Sequence, residues 1–306
     1  MRPIARLALC ALLASGCLPA DDRPEPGSVL VNVARSDVAT QGFDTDDGWH
    51  VSFDRFVLAI GDMSLTGDNC VDYSVAHYDR LYDAAKADTS KASLHYGLGD
   101  CTIQFSIRAP SDTALLMAGV TDADRSFMNT DAPGIDPKSG KTRVALMVVG
   151  RAEQGLETKR FSWLLRGGHR VGACYTPARD GNLSEIQLNA GDAYERELEV
   201  RPEELFRITP STQARIEFGR FAQADADGDG SVTLEELAKV TVPAAPIAAD
   251  LADELPGKSA AQVAAVVGQP TLASLVSNIL SGRVVAFAGA GECVAGDRSG
   301  GGFLGL

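Results

Sequence analysis

Between residues 225 and 236 the chain reads Asp-Ala-Asp-Gly-Asp-Gly-Ser-Val-Thr-Leu-Glu-Glu, with acidic side chains at the first, third, fifth and last two places and glycine at the sixth. A hard cation such as calcium takes about six to eight oxygens at about 2.3–2.6 Å, and a short loop supplies them only when carboxylates at alternate positions turn inward. Asp225, Asp227 and Asp229 stand at those positions. Gly230 occupies the place where the chain must adopt a conformation that a Cβ would penalise. Ser231 offers a backbone carbonyl, Thr233 a hydroxyl or a bridging water, and Glu236 both oxygens of its carboxylate. Carboxylates so clustered repel one another in the absence of a cation. The pattern therefore predicts one Ca2+ held by Asp225, Asp227, Asp229, Ser231, Thr233 and Glu236. The competing reading is an acidic turn that binds nothing.

Such a loop has to be held from both sides. Thr209-Pro210 reads as an N-cap followed by proline at the first helical position, and Ala214, Phe218, Phe221 and Ala222 recur at helical spacing. The expectation is one amphipathic helix over 210–224. The loop with such a helix before it resembles the EF-hand, in which the apolar residue at the eighth place, here Val232, packs inward and pairs as a short strand with a second hand. No second hand is present: Asp44-Thr-Asp46-Asp47-Gly48 is acidic, but Trp49 stands where the glycine belongs and Arg55 where the last carboxylate belongs. A lone hand is expected to dock on the rest of the protein or to dimerise. Sensor opening needs a cooperating pair, so calcium is expected to act as a structural clip.

Upstream the chain alternates. Val29, Val31 and Val33 share one phase. Trp49, Val51 and Phe53 share another, which slips to Phe56, Leu58 and Ile60 and so predicts a bulge near Asp54-Arg55. Val144 to Val148 and Phe161 to Leu165 read as a hairpin around Glu153-Gln154-Gly155, and Ser184–Leu188 and Tyr194–Val200 as further strands. Tyr78, Leu81, Tyr82 and Ala85 have the spacing of a short helix. Short strands with one wet face predict a mainly β protein, an antiparallel β-sandwich followed by the helix-loop-helix and a partly helical C-terminal segment. Val242-Pro243 and Pro246 are expected to break the chain, residues 251–267 to be helical in pieces, and Val284 to Phe287 to form a last strand. The expected divisions are 1–17, 18–28, 29–208, 209–241 and 242–306.

The first seventeen residues are an address. Arg2 and Arg6 precede a short apolar run from Leu7 to Ala14, too short to span a bilayer, and Ala14-Ser15-Gly16-Cys17 places small residues before a cysteine. This resembles the lipobox of bacterial lipoproteins, which implies lipid on Cys17, a membrane anchor and, because Leu18 rather than Asp follows, an outer-membrane address in the cell envelope. A plain secretory peptide cut near Ala20 is the alternative. The proline-rich stretch from Leu18 to Ser28 reads as a tether. Cys70, Cys101, Cys174 and Cys293 remain, an even number in a compartment that permits disulfides, and three connectivities are open. Cys70 with Cys101 and Cys174 with Cys293 is the favoured pairing, since the first flanks one compact stretch and the second ties the tail to the main body. With no CxxC spacing, a zinc site is the weaker reading. Lipobox, Trp-led strand, single calcium loop and terminal Cys293 together resemble Gram-negative EF-hand lipoproteins, a resemblance that implies localisation and calcium but no reaction.

Of 306 residues, 45% are hydrophobic, enough for a buried core, and 28 basic against 41 acidic residues give a formal charge of -13. That balance disfavours nucleic acid as a partner. No G-x-S-x-G elbow occurs, and Gly289-Ala-Gly291 lacks the third glycine of a dinucleotide loop, Val294 standing there. The reading is a non-catalytic binding or structural module with an undefined protein or small-molecule partner. A carrier of a transition metal or small ligand, with His50, His77 and His95 converging across a sheet, is the alternative.

Overall fold

The computed structural model of the chain describes residues 24–74, 78–133, 141–254 and 259–295. Cys17, the address segment, most of the tether, His77 and Pro256-Gly257 lie outside them. Ten strands carry the architecture: β1 (Gly27–Val33), β2 (His50–Thr66), β3 (Ser90–Ile107), β4 (Val144–Gln154), β5 (Glu157–Arg166), β6 (His169–Tyr175), β7 (Ala193–Val200), β8 (Ser231–Val232), β9 (Val285–Phe287) and β10 (Glu292–Ala295).

The protein is mainly β, but among the described residues the strands do not make a clear sandwich of two antiparallel sheets. Among the described residues the main sheet has 15 strands, with β8-β5-β4-β2-β3-β1-β7-β9 as its path, and it curls into a half-barrel. It is mixed: β1 runs parallel to β7, and β5 parallel to β8. The curl comes from two long strands that change neighbours along their length. β2 pairs with β4 over its first half and with β3 over its second; β3 meets β1 near its start and β2 and β6 near its end. Alternation reports one wet face per strand, and a curled sheet satisfies that as well as a sandwich does.

Locally the strand expectations hold. In β1 the valines at 29, 31 and 33 are buried and the residues between them are not. Opposite β4, Val149 faces Arg55 while Gly150 faces Phe53, which leaves Asp54 as the extra residue of a bulge. β4 and β5 are a hairpin turning through Gly155, whose φ is +61°. Residues 80–83 form a strand where a helix is expected. Leu81 and Tyr82 are both buried because each face of this strand is covered, Tyr82 by the main core and Leu81 by a satellite cluster with Val57, Ala59, Met128 and Val144. Adjacent apolar residues on a two-sided strand imitate helical spacing.

The excursion from β7 to β9 closes on itself. Val200 pairs with Val285, and the backbone N–H of Arg201 donates to the carbonyl of Val284. Within it lie α1 (Gly219–Ala222), α2 (Leu234–Leu237), α3 (Ala244–Glu254) and α4 (Ala260–Val267). Pro246 sits in the first turn of α3, where no backbone N–H is required, so it does not break the chain there. Leu272, Leu275, Val276, Ile279 and Leu280 join the same core as Phe105 and Trp163. A further strand, β10, follows the expected last one and returns to β6. Both favoured disulfides are formed: Cys70 to Cys101, and Cys174 to Cys293 as directly opposed residues of β6 and β10. No helix among the described residues is long and apolar enough to cross a membrane.

Candidate metal centre

The approach to residue 225 is not the long helix expected over 210–224. Phe206 and Ile208 exchange backbone hydrogen bonds with Glu217 and Arg215, so Thr209-Pro210 opens a turn, and helix is confined to α1. Two carboxylates missed by the sequence reading hold it so. Asp46 accepts from the N–H of Ile216 at 2.8 Å and donates its own N–H to the Ile216 carbonyl. Asp47 accepts from the N–H groups of Phe218 at 3.1 Å and Gly219 at 2.7 Å, and from the Thr45 hydroxyl at 2.6 Å. Partial burial pushes the Asp47 carboxyl upward, but these bonds outweigh it and hold the group below its ordinary value. The acidic segment around Asp46 and Asp47 thus clamps the entry to the loop at 225–236.

Past α1 the backbone wraps around its own carboxylates. Asp225 accepts from the N–H of Gly228 at 2.9 Å and of Gly230 at 3.0 Å; Asp227 accepts from Asp229, and Asp229 from Ser231 at 2.6 Å. Gly230 has φ +81° with no atom nearer than 3.7 Å to the position of a Cβ, so conformation rather than space demands glycine. One carboxylate oxygen from each of Asp225, Asp227 and Asp229 lies within 4.8 Å of the others. Glu236 closes the loop: one oxygen accepts from the N–H of Ala226 at 3.2 Å, and the other accepts from the N–H and hydroxyl of Thr233, each at 2.9 Å, capping α2. Glu235 is exposed and Glu236 buried. Both flanking helices are a single turn, so the structure supplies the loop and not the helical frame of an EF-hand.

The loop is docked on the β body. Ser231 and Val232 form β8, paired with Arg160 and Phe161 of β5, and the N–H of Arg160 donates to the Gly230 carbonyl at 2.8 Å. Val232 is fully buried, and the Trp163 indole N–H donates to its carbonyl at 2.8 Å. Phe218 and Phe221 enter the aromatic core with Trp49, Phe161, Trp163 and Phe206. From β5 the Lys159 ammonium reaches Asp225 at 2.7 Å; that contact holds the Asp225 carboxyl below its ordinary value and raises Lys159. Nothing in the local sequence marks Lys159, because its partner is distant along the chain.

Of the three histidines expected to converge, His77 lies outside the described residues, and the other two make separate contacts. His50 pairs with Asp44 at 2.8 Å on the surface, and buried His95 contacts the Ser93 hydroxyl. His169 contacts Ser281, and burial pushes it down to about 4. Among the described residues the carboxylates of 225, 227 and 229 form the one group of three or more candidate ligands. The donor set is all oxygen, which fits a hard cation and not copper or zinc. Comparison with protein families, with curated proteins and with solved structures finds no match to this chain.

Proposed function

We propose that this protein is an exported, lipid-anchored module of the cell envelope, non-catalytic, which binds one calcium ion at Asp225–Glu236 as a structural clip. The observation that carries the reading is the loop's inward turn, with three carboxylates gathered by its own N–H groups and Glu236 drawn back to its start. Asp225, Asp227, Asp229 and Glu236 would hold the ion through carboxylates, Ser231 through its carbonyl, and Thr233 through its hydroxyl or a water. Bound calcium supplies positive charge to carboxylates that otherwise repel one another. The rest is done by the chain: β5 and Trp163 fix β8, and Asp47 fixes the entry. An affinity of about 10⁻⁴ to 10⁻³ M, typical of extracellular modules, would suffice. Two disulfides support export to an oxidising compartment, and the residues before Cys17 support the lipid.

Titration calorimetry tests the site. Glu236→Gln should weaken calcium binding by orders of magnitude and Glu235→Gln should leave it unchanged; equal losses would overturn the assignment. A thermal melt tests the clip: a hundredfold excess of calcium over Kd adds about 2.7 kcal/mol, so an identical transition with chelator would remove the structural role. Mass and membrane fractionation of Cys17→Ser test the anchor, and unchanged values would rule it out.

A further inference from the structure

Asp225 accepts from the N–H groups of Gly228 and Gly230 and from Lys159, and its side chain is shielded from solvent, although Asp227 and Asp229 on the same loop are exposed. The Lys159 side chain is itself only 14% exposed, and its ammonium stands 2.7 Å from Asp225 and 3.4 Å from Glu157. It shares the Asp225 oxygen that accepts the Gly230 N–H. A shielded carboxylate needs a counter-charge. Here β5 provides one beside the strand pair that anchors the loop.

We propose that Lys159 is a tethered counter-ion that competes with calcium for Asp225, holding the loop in shape without metal and lowering its calcium affinity. The inference rests on the calcium reading and adds to it a residue that sets the threshold. A cation arriving at Asp225 meets a carboxylate whose charge is already matched. The ammonium then either stays and repels the ion or moves off toward Glu157, and both courses weaken binding. Lys159 therefore acts on the ion through Asp225 and is a positioning residue, not a ligand.

The test compares wild type, Lys159→Met and Lys159→Arg as full chains, by calorimetry with calcium chloride and by thermal melts in calcium and in chelator. Lys159→Met keeps the apolar stem and loses the charge. It should bind calcium about tenfold more tightly, the scale of one like-charge contact at about 4 Å when water screens it as in bulk. It should also melt lower than wild type in chelator and level with it in saturating calcium. Lys159→Arg should stay within about twofold of wild type, since it keeps the charge. Equal or weaker binding by Lys159→Met would overturn the proposal, the weaker case showing that the ammonium orients Asp225 for the ion. Should Lys159→Met not fold, the nitrogen resonance of the Lys159 ammonium in the wild type replaces it: a shift on adding calcium supports displacement, and an unmoved resonance overturns it. Binding by Lys159→Met with none by wild type up to about 10 mM calcium, beyond the range of extracellular modules, would support the proposal in its strongest form. Absence of binding in both would remove the calcium reading and this proposal with it.

Discussion

Replacing Asp47 by alanine deletes the acceptor of three hydrogen bonds, from Phe218, Gly219 and Thr45, and unties the entry segment from the strand region that carries Trp49. Bonds to a charged acceptor contribute about 1.5–3 kcal/mol each when water cannot replace them. Asp47 is partly exposed, so about 1 kcal/mol each is the appropriate scale, and about 3 kcal/mol in all. For a chain of 306 residues that corresponds to a loss of roughly 5 °C in melting temperature. Asp44→Ala is the control, since Asp44 contacts only His50 at the surface among its side-chain bonds described above, and it should stay within about 0.5 kcal/mol of wild type. The two proteins would be melted at neutral pH with tryptophan emission as the probe, because Trp49 packs on Phe218. The pH dependence gives a second reading. The Asp47 carboxyl is depressed in the folded state, so its contribution is present above its unfolded value of 3.8 and disappears as pH falls through the folded value. The gap between wild type and Asp47→Ala should be constant at neutral pH and close below about pH 4. A gap of less than about 1 °C at neutral pH, or one no larger than that of Asp44→Ala, would refute the clamp.

Two further outcomes follow from buried groups. Half-buried Glu203 has one shielded carboxylate oxygen with no hydrogen-bond partner among the described residues, and desolvation pushes the group up to about 7. Its unfolded form ionises first, so wild type should lose stability as pH rises from 4.5 through 7; Glu203→Gln should match wild type below pH 4.5 and melt higher above 7, and a parallel pair of curves would refute the burial argument. The Cys174–Cys293 bridge closes 119 residues and Cys70–Cys101 closes 31, which in the chain-entropy account stabilises by roughly 5 and 4 kcal/mol. Paired Cys→Ser substitutions at 174 and 293 should therefore lower the melting temperature more than those at 70 and 101, and the reverse order would contradict loop closure as the main contribution.

Much of the β region was legible because strand periodicity is local. The valines of β1, the bulge at Asp54 and the β4–β5 hairpin each show within one short stretch of chain. The choice between sandwich and half-barrel was not, since it depends on where β2 and β3 change neighbours. The helix expected over 210–224 failed for a related reason. Phe218 and Phe221 are indeed buried, but Asp46 and Asp47, some 170 residues earlier, take the N–H groups that a helix would have used. In the candidate metal loop, residue types and the inward turn could be read directly, whereas Lys159 and Trp163 come from another strand and left no local mark.

The parallel pairing of β1 with β7 also sets a timetable. The first strand of the fold lies between β3 and β7, and Ser28 bonds to Asp192, 164 residues away. Until residue 193 has been made, β1 has one neighbour and a bare edge, which is the geometry that invites pairing with the wrong chain. Contacts this remote slow folding, because a long loop must close before they contribute anything. During synthesis the Cys70–Cys101 bridge can form before β4 to β10 are made, whereas the Cys174–Cys293 bridge waits for residue 293. The loop proposed to hold calcium also arrives late, after its docking strand β5 and after β7, so it is added to a sheet whose central order is already decided.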